Sequence, residues 1–286
     1  MKNIAIVAKP HTPNIKDITE KIINFLMSKN KRILLEKRAA EALCVDNYHS
    51  ENEIRDSADL VIVLGGDGTL ISAIRLLQEK STPVLGINLG RLGFLTDTKI
   101  EDATSTLQEV FSGNYMIEKR MKLDVLVKNK YNTTFKAQVI NDLVINKGAL
   151  ARIIDIDVTV DNLFMNTYRA DGIIISTPTG STAYTLAAGG PIVYPTLNSI
   201  IVTPICPHAL SHRPIVLHDT SKLKLKVKDL YDKVFITCDG QEGKKMESGE
   251  EVYVEKSNSF ANLIVTKHHN YFTLLKEKLG WGRPNA

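Results

Sequence analysis

The sequence predicts an α/β N-terminal domain with a parallel sheet, then a β-rich, β-sandwich-like C-terminal domain and a short helical tail that returns to the first domain. Three observations carry this prediction. Over the first ~115 residues, short apolar runs alternate with stretches of helical period, as in strands joined by crossover helices. From Lys122 the apolar period falls to two. Over the last ~20 residues it lengthens again, at Tyr271, Phe272, Leu274, Leu275 and Leu279. These changes divide the chain into residues 1–118, 119–265 and 266–286.

Ile4 to Val7 reads as the first strand, ended by Lys9-Pro10. Between Ile15 and Met27, apolar residues recur at Ile18, Ile22, Ile23, Phe25 and Leu26, which predicts an amphipathic helix. Asp59 to Leu64 is apolar on both faces, as a central parallel strand is, and a glycine-rich turn follows it directly. After the turn, Leu70, Ile71, Ile74 and Leu77 stand at helical spacing. Val84 to Ile87 is the next strand, with Gly90, Gly93 and Phe94 in a second glycine-bearing loop at its exit. In the second domain the alternating runs are Leu123 to Lys128, Ile154 to Val160, Leu223 to Lys228 and Val234 to Thr237. Asp161-Asn162 suits a tight hairpin between two of the strands there.

Composition excludes more than it selects. With 43% apolar and 24% charged residues, the 286-residue chain is neither disordered nor fibrous, and it is long enough to bury a large core. No apolar stretch reaches the length of a membrane span, and the N-terminal run is too short for a signal-peptide core. Cys44, Cys206 and Cys238 are odd in number and widely spaced, which supports neither a disulfide framework nor a structural zinc site and fits a reducing cytoplasm. The net charge of +4 is densest at Lys222, Lys224, Lys226 and Lys228. A lysine at every second position reads as the wet face of a strand, because no aromatic residues are interleaved for nucleic-acid binding. His208 and His212 lack a third partner for a metal.

Two motifs carry chemistry. Gly65-Gly66-Asp67-Gly68-Thr69 lies between a buried strand and a helix, where backbone N–H groups and a helix N-terminus attract phosphate oxygens. The glycines allow close approach of a ligand and unusual dihedral angles. Asp67 is the odd member: a carboxylate beside phosphates is repulsive unless a metal ion or a proton transfer uses it, so Asp67 is the candidate general base. The competing reading makes Asp67 or Thr69 a simple helix cap. The turn lacks the lysine of a P-loop, so positive charge would come from a divalent ion carried with the phosphate donor. The second motif, Ala170 to Tyr184, packs Ser176, Thr177, Thr179, Ser181 and Thr182 around Pro178 and Gly180. Its donors could converge on a sugar or phosphate, and Tyr184 could lie against a base.

Taken in order, the Gly65 to Thr69 turn, Asn141-Asp142, the Asp171 to Tyr184 stretch and Asp239-Gly240-Gln241 resemble the bacterial NAD kinases. The likeness runs from about Leu60 to Gln241, and the first ~55 residues match only in pattern. The resemblance implies phosphorylation of the 2′-hydroxyl of the adenosine ribose of NAD by ATP, or by inorganic polyphosphate, to give NADP. It implies Asp67 as the base with Gly68 beside it at the nucleotide, and Asn141 and Asp142 as ligands of the adenosine portion. Asp142 is one methylene shorter than the glutamate often found there. Arg152 and Arg169 fall where the family carries basic or polar nucleotide contacts, and Asp171, Thr182, Ala183, Tyr184, Thr185, Leu186, Ala187 and Gln241 fall where it lines the dinucleotide site. A divalent cation, Mg²⁺, would accompany ATP. The split of the motifs between two domains suggests a site in the cleft, the family implies a homodimer or homotetramer whose neighbouring subunits help complete it, and composition predicts no nucleic-acid or membrane partner. Two alternatives stay open. A lipid or sugar kinase could share the glycine-aspartate turn, although the Gly-Thr-Gly-Asn-Asp segment expected of lipid kinases is absent. A non-catalytic NAD(P) sensor could use the same pocket, although such a protein gains little from a carboxylate near phosphates.

Overall fold

The computed structural model describes residues 1–10, 12–90, 92–96, 98–148, 152–228, 233–266 and 270–281. The chain divides into two compact units, Met1–Lys119 with Ala261–Ala286, and Arg120–Phe260.

The first unit runs β1 (Asn3–Ala8), α1 (Ile15–Ser28), β2 (Arg32–Leu35), α2 (Lys37–Leu43), α3 (Glu51–Ser57), β3 (Leu60–Leu64), α4 (Asp67–Leu77), β4 (Val84–Asn88), β5 (Thr98–Lys99) and α5 (Ala103–Phe111). Its strands pair in parallel in the order β4–β3–β1–β2, with β5 on β4. Every residue of β3 and β4 is buried, which is why both strands are apolar on both faces. Helix α1 turns Ile15, Ile22 and Leu26 into the same core as Ile4, Ile6, Leu60, Ile62 and Leu85. Helix α3 starts at a capping box, in which Ser50 Oγ accepts the Glu53 N–H and the Glu53 carboxylate accepts the Ser50 N–H.

The second unit is antiparallel. It takes in β6 (Met116–Lys128), β7 (Thr133–Val139), β8 (Asp142–Lys147), β9 (Ile154–Val160), β10 (Leu163–Ala170), β11 (Gly172–Ser176) and the one-turn α6 (Tyr184–Ala187). It continues with β12 (Ser199–Ile205), β13 (Ile215–His218), β14 (Leu223–Val227), β15 (Val234–Cys238), β16 (Glu242–Lys245) and β17 (Glu251–Val265). One sheet has the order β10–β9–β14–β17, with β6 on β17 and β7 on β6; the other has β13–β12–β11–β8–β15–β16. Both feed one core: Val125, Ile156, Val158 and Leu225 from the first sheet meet Leu143, Ile145, Ile173, Ile175 and Val202 from the second. Asp161 and Asn162 form the β9–β10 turn with φ of 50° and 67°, the left-handed pair a type I′ hairpin requires. On β14, Leu223, Leu225 and Val227 are buried while Lys226 is exposed. The flanking Lys228 and Lys222 reach Asp157 at 3.0 Å and Glu255 at 3.3 Å, so the lysine stripe is a solvent face answered by acids on neighbouring strands.

Residues 261–265 of β17 belong to the first unit, where Leu263 pairs in parallel with Val84. Helix α7 (Tyr271–Leu279) follows, capped by the Asn270 side chain on the N–H groups of Phe272 and Thr273. Its Lys278 ammonium donates to the Leu92 carbonyl at 2.7 Å. The tail therefore packs within the first unit.

Candidate active site

Strand β3 delivers the chain to Gly65, where an added Cβ would lie 2.5 Å from Thr69 Oγ1 and 2.8 Å from Thr69 Cβ. Gly65, Gly66 and Gly68 all lie outside the left-handed region. This corrects the sequence reading in one respect: Gly65 is needed for its closeness to the first turn of α4, and none of the three glycines is there for a left-handed dihedral angle.

Asp67 is the first residue of α4, one place past the N-cap Gly66, and its side chain makes no capping bond. The carboxylate turns instead to the second glycine loop. Oδ2 accepts the Phe94 N–H at 2.8 Å; Oδ1 accepts the Leu95 N–H at 2.9 Å, the Thr96 N–H at 3.1 Å and Thr96 Oγ1 at 3.1 Å. Thr96 is fully buried, and its Oγ1 also accepts Asn88 Nδ2 at 3.0 Å. A Cβ on Gly93 would stand 2.0 Å from Asp67 Oδ1, so only glycine fits there. The reading of Asp67 as a helix cap is thereby replaced: three consecutive amides, a nest for an anion, hold it across the turn. A carboxylate has about four lone-pair sites, two on each oxygen. Three donors crowd Oδ1, whereas Oδ2 takes one and keeps a lone pair for a proton. Gly68 is exposed beside it, at the positive end of the α4 dipole.

In the second unit, Asn141 and Asp142 open β8 at the edge of a dense polar knot. The Asn141 carbonyl accepts the Thr177 N–H at 2.9 Å and Ser176 Oγ at 3.2 Å, and the Ile140 carbonyl accepts Thr177 Oγ1. Gly180 lies against the same peptide, where a Cβ would come within 2.2 Å of the Asn141 oxygen. A 3₁₀ turn at Thr179–Thr182 and the helix α6 then present Thr182, Ala183, Tyr184, Thr185, Leu186 and Ala187 in one short arc. Tyr184 is 44% exposed, Thr185 is buried, and Ala187 is exposed. Beneath the arc, Arg120 is buried with Nη1 3.4 Å from Thr179 Oγ1.

Asp142 is the electrostatic anomaly. It is only 5% exposed. Burial first, and the nearby Asp239 carboxylate second, push its pKa up to about 7, while the Tyr184 backbone N–H pulls the other way. Asp239 itself accepts the N–H groups of Ile140, Asn141 and Asp142. In the sequence Asp239 carries one signal, Asp-Gly after an alternating run, which marks a hairpin turn and assigns the carboxylate no role. The nest at residues 94–96 had no signal beyond Gly93 and Phe94 at a strand exit.

Of the remaining predicted residues, Asp171 stands apart from this knot. Asp171 precedes β11 and pairs with Lys147 at 3.4 Å. Arg169 is exposed near the end of β10, opposite Asp155, and Arg152 is exposed just before β9. In register, Ser176 faces Asp142 whereas Gly172 faces Asn146, so Asp171 lies at the far end of the same two strands. Four residues separate the two ends, roughly 13 Å at about 3.3 Å per residue. Asn141, Asp142 and the 182–187 arc are therefore together, and Asp171 with Lys147 stands apart from them. Gln241 is exposed in the β15–β16 turn, its N–H on the Cys238 carbonyl. Among the described residues no cluster of three or more His, Cys, Asp or Glu could hold a metal ion. His212 sets its ring edge-on to Tyr168 at 5.0 Å.

Comparison with known proteins fits this arrangement of motifs. Residues 4–115 match the ATP-NAD kinase N-terminal domain and residues 140–266 the ATP-NAD kinase C-terminal domain. The chain is 43% identical to an NAD kinase of Geobacter sulfurreducens over 282 residues and 41% identical to one of Geotalea daltonii over 282 residues, in each case covering 99% of both chains. Among solved structures it is similar to yeast NADH kinase complexed with NADH, with a TM-score of 0.92 at 29% identity over 99% of this chain and 89% of that one. It is also similar to an NAD kinase from Archaeoglobus fulgidus in complex with ATP, with a TM-score of 0.78 at 25% identity over 97% of this chain and 98% of that one. The chain belongs to the NAD kinase family.

Proposed function

We propose that the chain transfers the γ-phosphoryl group of ATP to the 2′-hydroxyl of the adenosine ribose of NAD. The hydroxyl oxygen forms the new bond to phosphorus, the bond from the γ-phosphorus to the β–γ bridging oxygen breaks, ADP leaves, and the hydroxyl proton passes to Asp67. The observation that carries this reading is the geometry of the Asp67 carboxylate, held by donors from Phe94, Leu95 and Thr96 with its spare acceptor capacity on Oδ2. Oδ2 is the atom assigned to take the proton. Phosphoryl transfer of this kind rests on positioning and charge stabilisation more than on covalent chemistry.

Asn141, Asp142 and the 182–187 arc hold the adenosine portion in this reading, with Tyr184 against a flat ring. Arg152, Arg169 and Asp171 serve the dinucleotide in this reading, and the placing of Asp171 at the far end of β8 and β11 from Asp142 supports a homodimer or homotetramer in which a neighbouring subunit contributes to the site. Magnesium enters as part of the Mg-ATP substrate, which needs one or two carboxylates at most from the protein because phosphates and water supply the other ligands. The three free cysteines support a cytoplasmic setting, and among the described residues no helix is long and apolar enough to cross a membrane.

Incubating the purified chain with NAD, ATP and magnesium yields NADP on this reading; binding of NAD without turnover would make it a sensor instead. Replacing Asp67 with Asn or Ala lowers kcat by about 10²–10⁴-fold, the usual contribution of a general base. Near-normal NADP formation by either variant overturns the assignment of the base.

A further inference from the structure

Asp239 is absent from the residues assigned to substrate, yet its side chain is committed to the peptide that carries two of them. The β15–β16 turn is a type I′ hairpin: Asp239 and Gly240 have φ of 52° and 65°, and the Gln241 N–H closes on the Cys238 carbonyl at 3.0 Å. Asparagine and aspartate both tolerate that position, so the turn alone does not call for a carboxylate. The carboxylate reaches sideways to the entry of β8. Oδ2 accepts the Ile140 N–H at 3.0 Å, and Oδ1 accepts the Asn141 N–H at 2.8 Å and the Asp142 N–H at 3.0 Å, while the Asp239 N–H returns a bond to the Asp142 carbonyl at 2.8 Å. On the opposite side the Ile140 and Asn141 carbonyls are taken by Thr177 and Ser176. The peptide groups of 140–142 are thus fixed on both sides, with their N–H groups and the Asp142 carbonyl held by Asp239 and the Ile140 and Asn141 carbonyls by the hydroxyl loop. Asn141 keeps its side-chain amide clear of hydrogen bonds among the described residues.

We propose that Asp239 is a positioning residue for the NAD-binding pair Asn141–Asp142, locking the backbone at the entry to β8 so that both side chains meet the adenosine portion in one fixed geometry. The inference rests on the reading that Asn141 and Asp142 contact NAD. It gives the Asp239 carboxylate a part in binding without contact to substrate.

The full-length chain carrying Asp239→Asn provides the test, because asparagine keeps the type I′ turn but presents an N–H₂ to one of the three amides. The KM for NAD rises about tenfold or more, as loss of a hydrogen bond to a charged acceptor at a positioning peptide entails, while the KM for ATP stays within about twofold. Gly240→Ala is the control for general weakening: it strains a left-handed position and leaves the carboxylate in place, so it lowers the unfolding temperature and holds the KM for NAD within about twofold. Asn141→Ala separates this inference from the reading beneath it. If Asn141→Ala raises the KM for NAD and Asp239→Asn does not, the positioning role is wrong and the NAD-binding reading stands. If Asn141→Ala leaves the KM for NAD unchanged, the reading itself fails and the inference with it. Equal rises for Asp239→Asn and Gly240→Ala assign the effect to the hairpin and overturn the role of the carboxylate.

Discussion

Replacing Asp142 with asparagine makes the protein more stable at alkaline pH while weakening its hold on NAD. The carboxyl is 5% exposed and lies near the carboxylate of Asp239. Its pKa of about 7 stands well above the ordinary 3.8. Between those values the folded protein keeps a proton that the unfolded chain has released, so the contribution of this carboxyl to stability is greatest below about pH 4, falls as pH rises through the window, and levels off above pH 7. At about 1.4 kcal/mol per pH unit, the loss between pH 5 and pH 8 is about 3 kcal/mol, a large part of the margin of an ordinary domain. Asparagine keeps an oxygen for the Tyr184 N–H and cannot ionise. Urea unfolding of both proteins at pH 5 and pH 8 measures the effect: the variant gains about 3 kcal/mol on the wild type between the two conditions. NADP formation recorded in the same buffers shows a higher KM for NAD in the variant. A stability difference that does not change with pH refutes the assignment of a buried, proton-holding carboxyl.

Two further outcomes test the first unit. Gly93→Ala drives a methyl group to within 2.0 Å of Asp67 Oδ1, so the nest opens and kcat falls by about 10²-fold or more, read in the same NADP assay. Ser50→Ala removes one half of the α3 capping box and costs about 1 kcal/mol of stability by urea unfolding, with kcat unchanged.

Period and burial made the architecture legible where one face or both faces of an element are apolar. Strands β3 and β4 were visible because both their faces are buried, and α1 and α4 because Ile22 and Leu26, or Leu70 and Ile74, recur on one side. Strand β2 was not read, since in Arg32-Ile33-Leu34-Leu35 only Leu34 is buried and neither period shows. Strand β17 was missed for a different reason: its central Ser257-Asn258-Ser259 interrupts the apolar alternation, and the hydroxyls of Ser257 and Ser259 both lie within bonding distance of Gln138 Nε2. At the site, residue types were legible and partners were not. Asp67 stood out by its chemistry, but the sequence could not show that residues 94–96, almost thirty positions later, would claim its carboxylate. Nor could it separate Asp171 from Asn141, because that separation follows from the antiparallel register of β8 and β11.

Asp67 and Asp239 share a device: each carboxylate gathers three consecutive backbone amides. This likeness bears on how a loss of activity is interpreted. An asparagine at either place sets an N–H₂ against a backbone N–H and loosens a loop, so a fall in turnover by Asp67→Asn does not by itself identify a base. The two variants together do. If both carboxylates are clamps only, Asp67→Asn and Asp239→Asn lower the unfolding temperature by similar amounts and both act chiefly on binding. If Asp67 also removes the proton, its variant loses kcat by about 10²–10⁴-fold at saturating NAD and ATP, whereas the Asp239 variant recovers most of its turnover once NAD is raised above the new KM. Recovery of turnover by both variants at saturation leaves Asp67 as a clamp and moves the proton acceptor elsewhere.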